Sequence, residues 1–349
     1  MSVERIIREM PKVELHVHLE GAIRPDTLAI IAEQNEIEAT SKHFRQWMQL
    51  VRQPDYSRLD EIVSTAIKWL QYPDDITRIV YELGVQLSKQ NVRYTEVCVA
   101  PSMFAEILTF DQFMTAINDG RDRAQRAWGI QMAWLLCIPR DNPRSADEIA
   151  RWATGASSRR NGIVGMGLYG NEEVQPVGQF ERAFRTADKK GVARVPHAGD
   201  ALGAEGVREA ITTLAPDRLV AGWGDWHTPE VIELLLSEDV PVDVSLTRTV
   251  RLNPTVKSYN DLSFMRNLYD AGVKLVIGSS MPVLLGTTLT DEYLALSKNL
   301  GFELTEIQDM ALNAVRASQL LPEDKQAMLE SFAQEYERLG IEYAGDQVG

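Results

Sequence analysis

His16 and His18 stand two apart in the apolar run VELHVHLE, and His197 closes a second short apolar run, VPHAGD. A β-strand turns alternate side chains to opposite faces, so both imidazoles of the HVH pair share one face while Leu15 and Val17 take the other. Imidazoles brought together from two strand ends are the nitrogen ligands of a zinc site that is one protein ligand short of tetrahedral. A lone histidine in such a run is ordinarily a packed polar residue, but a strand-borne pair with a third at another strand end is expected to converge on a metal. Of the remaining histidines, His43 sits beside Phe44 and Trp47 and reads as structural. His227 opens a helical stretch and reads as a surface or capping residue. Cys98 and Cys137 lie in apolar runs with no CxxC spacing, which predicts two buried thiols. Lys274 begins its apolar run, so no lysine is placed at a strand's C-terminal end for Schiff-base chemistry.

Short apolar runs alternate with amphipathic stretches along the chain. Strands are predicted at Val13–Leu19, Arg93–Ala100, Gln131–Ile138, Ile163–Tyr169, Ala193–Ala198, Arg218–Trp223, Val240–Leu246 and Val273–Ser279. Between them, Ile76, Ile79, Val80, Leu83 and Leu87 recur at helical spacing in Asp74–Gln90. Further helices are predicted at Phe110–Trp128, Ala146–Arg159, Gln179–Lys190, Pro229–Ser237 and Asn260–Asp270. Eight strands separated by helices close into a parallel (β/α)8 barrel of the TIM type, and the histidines then lie inside its C-terminal mouth. Arg24–Asn35 and Ser57–Leu70 add helices after the first strand, where lids sit, and the stretch from Leu304 to Tyr343 adds more after the eighth. No Gly/Ser-rich linker or repeat marks a second domain, so all 349 residues are expected to form one.

Hydrophobic residues make up 44% of the chain and charged residues 25%, ordinary values for a globular domain, and the net charge is −14. That charge repels phosphate backbones and anionic lipid, so neither nucleic acid nor a membrane is an expected partner. The N-terminus MSVERIIREM has no apolar core of a signal peptide, and no stretch reaches the roughly 18 apolar residues of a membrane span. A cytoplasmic protein with a small-molecule substrate is expected.

The segment PKVELHVHLEGAIRPDTL, at Pro11–Leu28, resembles the opening signature of adenosine deaminases and related amidohydrolases. GLYGNE at Gly167–Glu172, HAGD at His197–Asp200, GTTLTDEY at Gly286–Tyr293 and LLPEDK at Leu320–Lys325 are similar to further segments of that family, in the same order. The resemblance implies a zinc-dependent hydrolase that exchanges a purine 6-amino group for hydroxyl, with His16, His18 and His197 as metal ligands. The deaminase class built on PCxxC ligands is excluded, because that spacing is absent. Glu20, at the family's ribose-facing acid, and Gly170, whose amide meets the purine, match the pattern. Other positions depart from it. Asp200 stands where the family has the proton-shuttling glutamate of HAGE. Ala221 replaces the strand-six histidine that orients hydroxide. Ser280 and Met281, before Pro282, replace an aspartate pair, one of them the fourth ligand.

These departures imply a possible zinc site that is incomplete. A carboxylate withdrawn by about 1 Å can lower rate ~100-fold. Losing a positioned proton-transfer group forfeits about 10²–10⁴. The changes cluster at the mouths of strands five, six and eight, the pattern of a remodelled site, natural or engineered, and weak or lost adenosine deamination follows. Tyr169, Trp223, Trp226 and Met281, with Arg248 on strand seven and the Ser279–Ser280 pair, are expected to wall a pocket. In it Asp200 would act as a metal-independent base on a purine-nucleoside-like or designed ligand. Two alternatives stay open at this point: a still-active zinc deaminase with three histidine ligands, and a nucleoside-binding protein without turnover.

Overall fold

The computed structural model describes residues 1–37, 42–53 and 55–340. Eight strands run parallel in the order of the sequence: β1 (Lys12–His18), β2 (Val92–Val99), β3 (Gln131–Pro139), β4 (Ile163–Tyr169), β5 (Ala193–Ala198), β6 (Leu219–Ala221), β7 (Val242–Val244) and β8 (Leu275–Ile277). Residue 280 closes the cylinder. The His18 amide donates to the Ser280 carbonyl, and the Ser280 amide donates to the His16 carbonyl, both at 2.8 Å. The expected (β/α)8 barrel is present. β4 and β5 have the predicted bounds, while β6, β7 and β8 are only three residues each, shorter than predicted at both ends.

The helices are α1 (Val3–Glu9), α2 (Pro25–Gln34), α3 (Lys42–Arg52), α4 (Leu59–Lys68), α5 (Pro73–Ser88), α6 (Phe110–Trp128), α7 (Ala146–Ala153) and α8 (Glu181–Lys189). They continue as α9 (Gly203–Leu214), α10 (Pro229–Ser237), α11 (Leu246–Leu252), α12 (Phe264–Asp270), α13 (Pro282–Leu285), α14 (Leu289–Leu300), α15 (Leu304–Ala317) and α16 (Pro322–Arg338). α6 and α10 match their predicted spans, while α9, α11, α13 and α14 have no predicted counterpart. Arg248 accordingly stands in α11, not on strand seven. Ser245 caps that helix by accepting from the Arg248 amide, which ends the extended run of Val242–Val244. Among the described residues the C-terminal helices end with α16; Tyr343 lies outside them, as does the side chain of His43.

Both faces of the strands are covered, as a parallel barrel requires. β1 is buried at all seven positions, with Val13, Leu15 and Val17 in the apolar layer under the helices. Its other face is polar, and its carboxylate is paired at depth. The Glu14 carboxylate accepts from the Ser279 amide (3.1 Å) and hydroxyl (2.9 Å). Below it, Arg218 donates to Glu96 at 2.8 Å, an ion pair with neither side chain exposed, and also to the carbonyls of Leu15 and Ala317. Such a pair stabilises little relative to apolar packing but is costly to break from one side. Between β1 and β2 the α3–α4 insertion packs on itself through Trp47, Trp69 and Phe44, with Trp47 Nε1 donating to the Ile62 carbonyl. Cys98 and Cys137 are buried and free, as predicted.

Candidate functional site

β1 and β5 bring the three predicted histidines together at the C-terminal mouth. Ring centroids lie 5.4 Å apart for His16 and His18, 4.9 Å for His16 and His197, and 5.1 Å for His18 and His197. One nitrogen of each comes within 4.8 Å of the others. His16 Nε2 and His197 Nε2 are buried without a protein hydrogen-bond partner, and orphaned buried nitrogens of this kind call for a ligand. Burial pushes His18 and His197 well below the usual histidine range, aided by the His16 ring and by the Arg248 charge. A neutral imidazole is the form that ligates metal. The donor set therefore fits a borderline-soft divalent cation such as zinc.

Residues that sequence reasoning missed hold these ligands in place. His16 Nδ1 lies 3.2 Å from Asp243 Oδ1 of β7, with both side chains buried. A carboxylate on Nδ1 fixes the tautomer that leaves Nε2 free for a metal. The signal was an aspartate inside the apolar run Val242–Val244, where an unpaired charge has no other reason to be. Arg140 donates to the His197 carbonyl at 3.1 Å, and Glu172 accepts from the amides of Gly199 (2.9 Å) and Leu202 (3.1 Å). Glu172, the last residue of GLYGNE, thus sets the turn on which HAGD is carried.

The surroundings of Asp200 differ from the sequence expectation. Its carboxylate is no free base among aromatic walls: Arg248 Nη2 donates to Oδ1 at 2.8 Å and to Oδ2 at 2.7 Å, and the Trp223 amide donates to Oδ1 at 3.0 Å. Arg248 Nη1 also reaches the Ala221 carbonyl at 3.3 Å. Both partners are mostly buried, with 10% and 14% of their side chains exposed. Asn253 donates to the Trp223 carbonyl at 2.8 Å and holds the same loop. Trp223 therefore meets Asp200 through its backbone. Trp226 is a core residue, 1% exposed, with Nε1 on the Gly222 carbonyl. His227 precedes the Thr228 cap of α10 and stacks on Phe264.

The opposite side of the mouth is built by β1, β4 and β8. The Tyr169 ring lies 5.6 Å from His18, and its hydroxyl donates to Met103 Sδ at 3.0 Å. Gly170 follows at φ +104°, a conformation that side chains other than hydrogen rarely adopt. Glu20 is buried with Oε1 on the Ala100 amide at 3.0 Å, and burial pushes its carboxyl up to about 7. Met281 packs against Gly21 so closely that a Cβ there would lie 2.3 Å from Met281 Cγ. Ser280 adopts φ +60° at the closing position, while Ser279 points down the barrel to Glu14 and does not face the mouth. With its amide and hydroxyl both given to Glu14, Ser279 does not act together with Ser280 on a ligand.

The family model for adenosine deaminase matches residues 11–335. The chain belongs to the adenosine deaminase family. Within that family it is 30% identical to an aminodeoxyfutalosine deaminase of Streptomyces coelicolor over 321 residues, 91% of this chain and 82% of the relative. It is also 30% identical to an adenosine deaminase of Clostridium botulinum over 334 residues, 94% and 98% of the two chains. Among solved structures, an amidohydrolase from Burkholderia ambifaria with bound Zn superposes with a TM-score of 0.86 at 23% identity, covering 97% of this chain and 94% of its own, a likeness of fold. Among the described residues no helix is long and apolar enough to cross a membrane.

Proposed function

We propose that this member of the adenosine deaminase family binds a purine-nucleoside-like small molecule at the barrel mouth, beside a zinc ion held by His16, His18 and His197, and deaminates adenosine weakly or not at all. Zinc bound there would supply Lewis acidity. The observation that carries the reading is the Arg248–Asp200 pair set next to the three imidazoles. A carboxylate that must carry a proton to a purine ring has to exchange it freely. Asp200 would have to release the guanidinium on both oxygens first. Base chemistry at Asp200, with or without metal, is therefore subordinate to opening of that pair.

The rest of the site supports the same reading. Ala221 offers a methyl group where hydroxide would need orienting, and its carbonyl is taken by Arg248. Ser280 is committed through its backbone to closing the barrel, and its side chain brings no negative charge to a dication. The substrates named for the two relatives, adenosine and aminodeoxyfutalosine, set the ligand class proposed. Tyr169, Gly170, Glu20, Trp223 and Met281 are the residues proposed to line it.

Three measurements test this on the purified protein: metal content by elemental analysis, ammonia release from adenosine, and calorimetric titration with adenosine. Expected are zinc in stoichiometric amount, a measurable heat of binding, and ammonia release at least ~10²-fold below that of a variant with its proton-transfer groups restored and Arg248 replaced by serine. Rapid, chelator-sensitive ammonia release from the unaltered chain would overturn the loss of deamination. Absence of both zinc and adenosine binding would overturn the site itself.

A further inference from the structure

Arg248 is a cation placed where a ligand would meet the histidines. It enters from the first turn of α11 and reaches Asp200, three residues beyond His197, and the carbonyl of Ala221, which pairs with Ala198 at the end of β5. Three of its N–H groups are used, two on Asp200 and one, at a long 3.3 Å, on the Ala221 carbonyl. A guanidinium has five, in a fixed fork suited to a carboxylate or phosphoryl group. Asp200 is the carboxylate that neutralises it, and it does so through Nη2 alone, leaving the fork incompletely filled.

The other charges set around the histidines have partners of their own, save one N–H of Arg140. Glu20 lies on the β1 side with an oxygen on the Ala100 amide. Glu172 is bonded to two backbone amides beneath the turn, and Arg140 donates through both Nη atoms to the carbonyls of His197 and Gln175, with its Nε buried and unpartnered. Asp243 is on the far side of His16. What faces the ligand is a set of imidazole nitrogens, two of them orphaned, and one guanidinium held by a single carboxylate that can be exchanged. The chain's net charge of −14 does not oppose an anion here, because solvated surface acids are screened beyond roughly 8–10 Å while the guanidinium acts in contact.

From this we infer that the ligand carries an anionic group, a carboxylate or a phosphoryl, which docks at the inner end of the mouth against Arg248 and the histidines and takes the place of Asp200 on the guanidinium. The inference rests on the pocket proposed above and names its ligand class: an acidic small molecule is preferred to a neutral nucleoside. Asp200 is then an internal stand-in for the ligand's anion, keeping Arg248 paired until the ligand arrives.

The test uses three probes built on one phenyl ring, benzoate, phenyl phosphate and the neutral benzamide, titrated calorimetrically into the zinc-loaded and the metal-free protein, with adenosine alongside. One charged probe is expected to bind at least about ten-fold more tightly than benzamide, and which of the two does so separates a carboxylate ligand from a phosphoryl one. The preference should collapse in Arg248→Met. It should collapse equally in the double variant Arg248→Met/Asp200→Asn, which leaves no unpaired carboxylate and so keeps the fold if the single variant does not. The decisive arm is Asp200→Asn: removing the competing carboxylate should tighten the charged probe by about ten-fold, whereas a purely structural ion pair would leave it weaker. Equal binding of charged and neutral probes, or a preference that survives Arg248→Met, overturns the inference while adenosine binding upholds the pocket. Failure of every probe and of adenosine overturns both.

Discussion

Asp243 offers the sharpest separation of site from scaffold. It touches His16 Nδ1 at 3.2 Å with both side chains buried, and it also pushes against the buried Glu14 carboxyl, which burial and the Asp243 charge together raise well above the usual range. Replacing it by leucine removes the group that fixes the His16 tautomer and, at the same stroke, a buried carboxylate set between Glu14 and Arg218. Loss of such a carboxylate–histidine contact typically weakens metal binding 10–100-fold, about 1.4–2.8 kcal/mol. The substitution Asp243→Asn would keep an acceptor for the ring N–H and should fall short of that, by a few-fold. In the metal-free protein Asp243→Asn relieves Glu14 of a charged neighbour but takes a compensating charge from the buried Arg218, so its melting temperature should change little. Zinc affinity by chelator competition and the melting temperature of the metal-free form, measured on the same preparations, decide the matter. If zinc affinity is unchanged in Asp243→Leu, or if it falls only in step with the stability of the metal-free protein, the positioning role is wrong.

Other outcomes follow from the same geometry. Restoring Asp200→Glu, Ala221→His, Ser280→Asp and Met281→Asp together should not bring back ammonia release, because Arg248 would still engage a carboxylate at position 200; adding Arg248→Ser should raise release by ~10²-fold or more, and equal rates in both variants would refute the blocking role of the guanidinium. Glu96→Gln strands Arg218 in the barrel interior and should destabilise the protein by about 3–5 kcal/mol in chemical denaturation. Glu292 is fully buried with its carboxyl pushed up to about 7, so the folded state holds a proton that the unfolded chain gives up. Its contribution is therefore full below pH ~4.5 and is lost as pH rises toward ~7, by at most about 1.4 kcal/mol per pH unit, and Glu292→Gln should flatten that slope in denaturation measured from pH 4.5 to 8. Gly21→Ala should cost about 1–3 kcal/mol by driving a methyl group into Met281, read as a lower melting temperature.

The sequence made the barrel legible because its long strands are continuous apolar runs and its helices are periodic; β4, β5, α6 and α10 fall at the predicted residues. The histidine triad was legible for a related reason, since a period of two on β1 dictates a shared face. What it concealed were partnerships across the barrel. Asp243 with His16, and Arg248 with Asp200, join residues 227 and 48 positions apart, and no local pattern announces either. Arg248 was further disguised because Leu246–Leu252 reads as the end of a strand until its caps are seen. Those caps include Glu292, whose carboxylate accepts from the amides of Leu246 and Thr247. The GTTLTDEY segment, recognised as a motif, thus acts by seating the helix that carries the guanidinium.

The join between first and last strands is thin: two main-chain bonds to Ser280, itself in a left-handed conformation, and both are made by the histidines of β1. An ion grasped by His16 and His18 on one side and by His197 of β5 on the other reaches across the cylinder from that seam. It would work as a clasp, so that loading the site and sealing the barrel become one event. Amide exchange at His18 and Ser280 would report it, slowing together when metal is added.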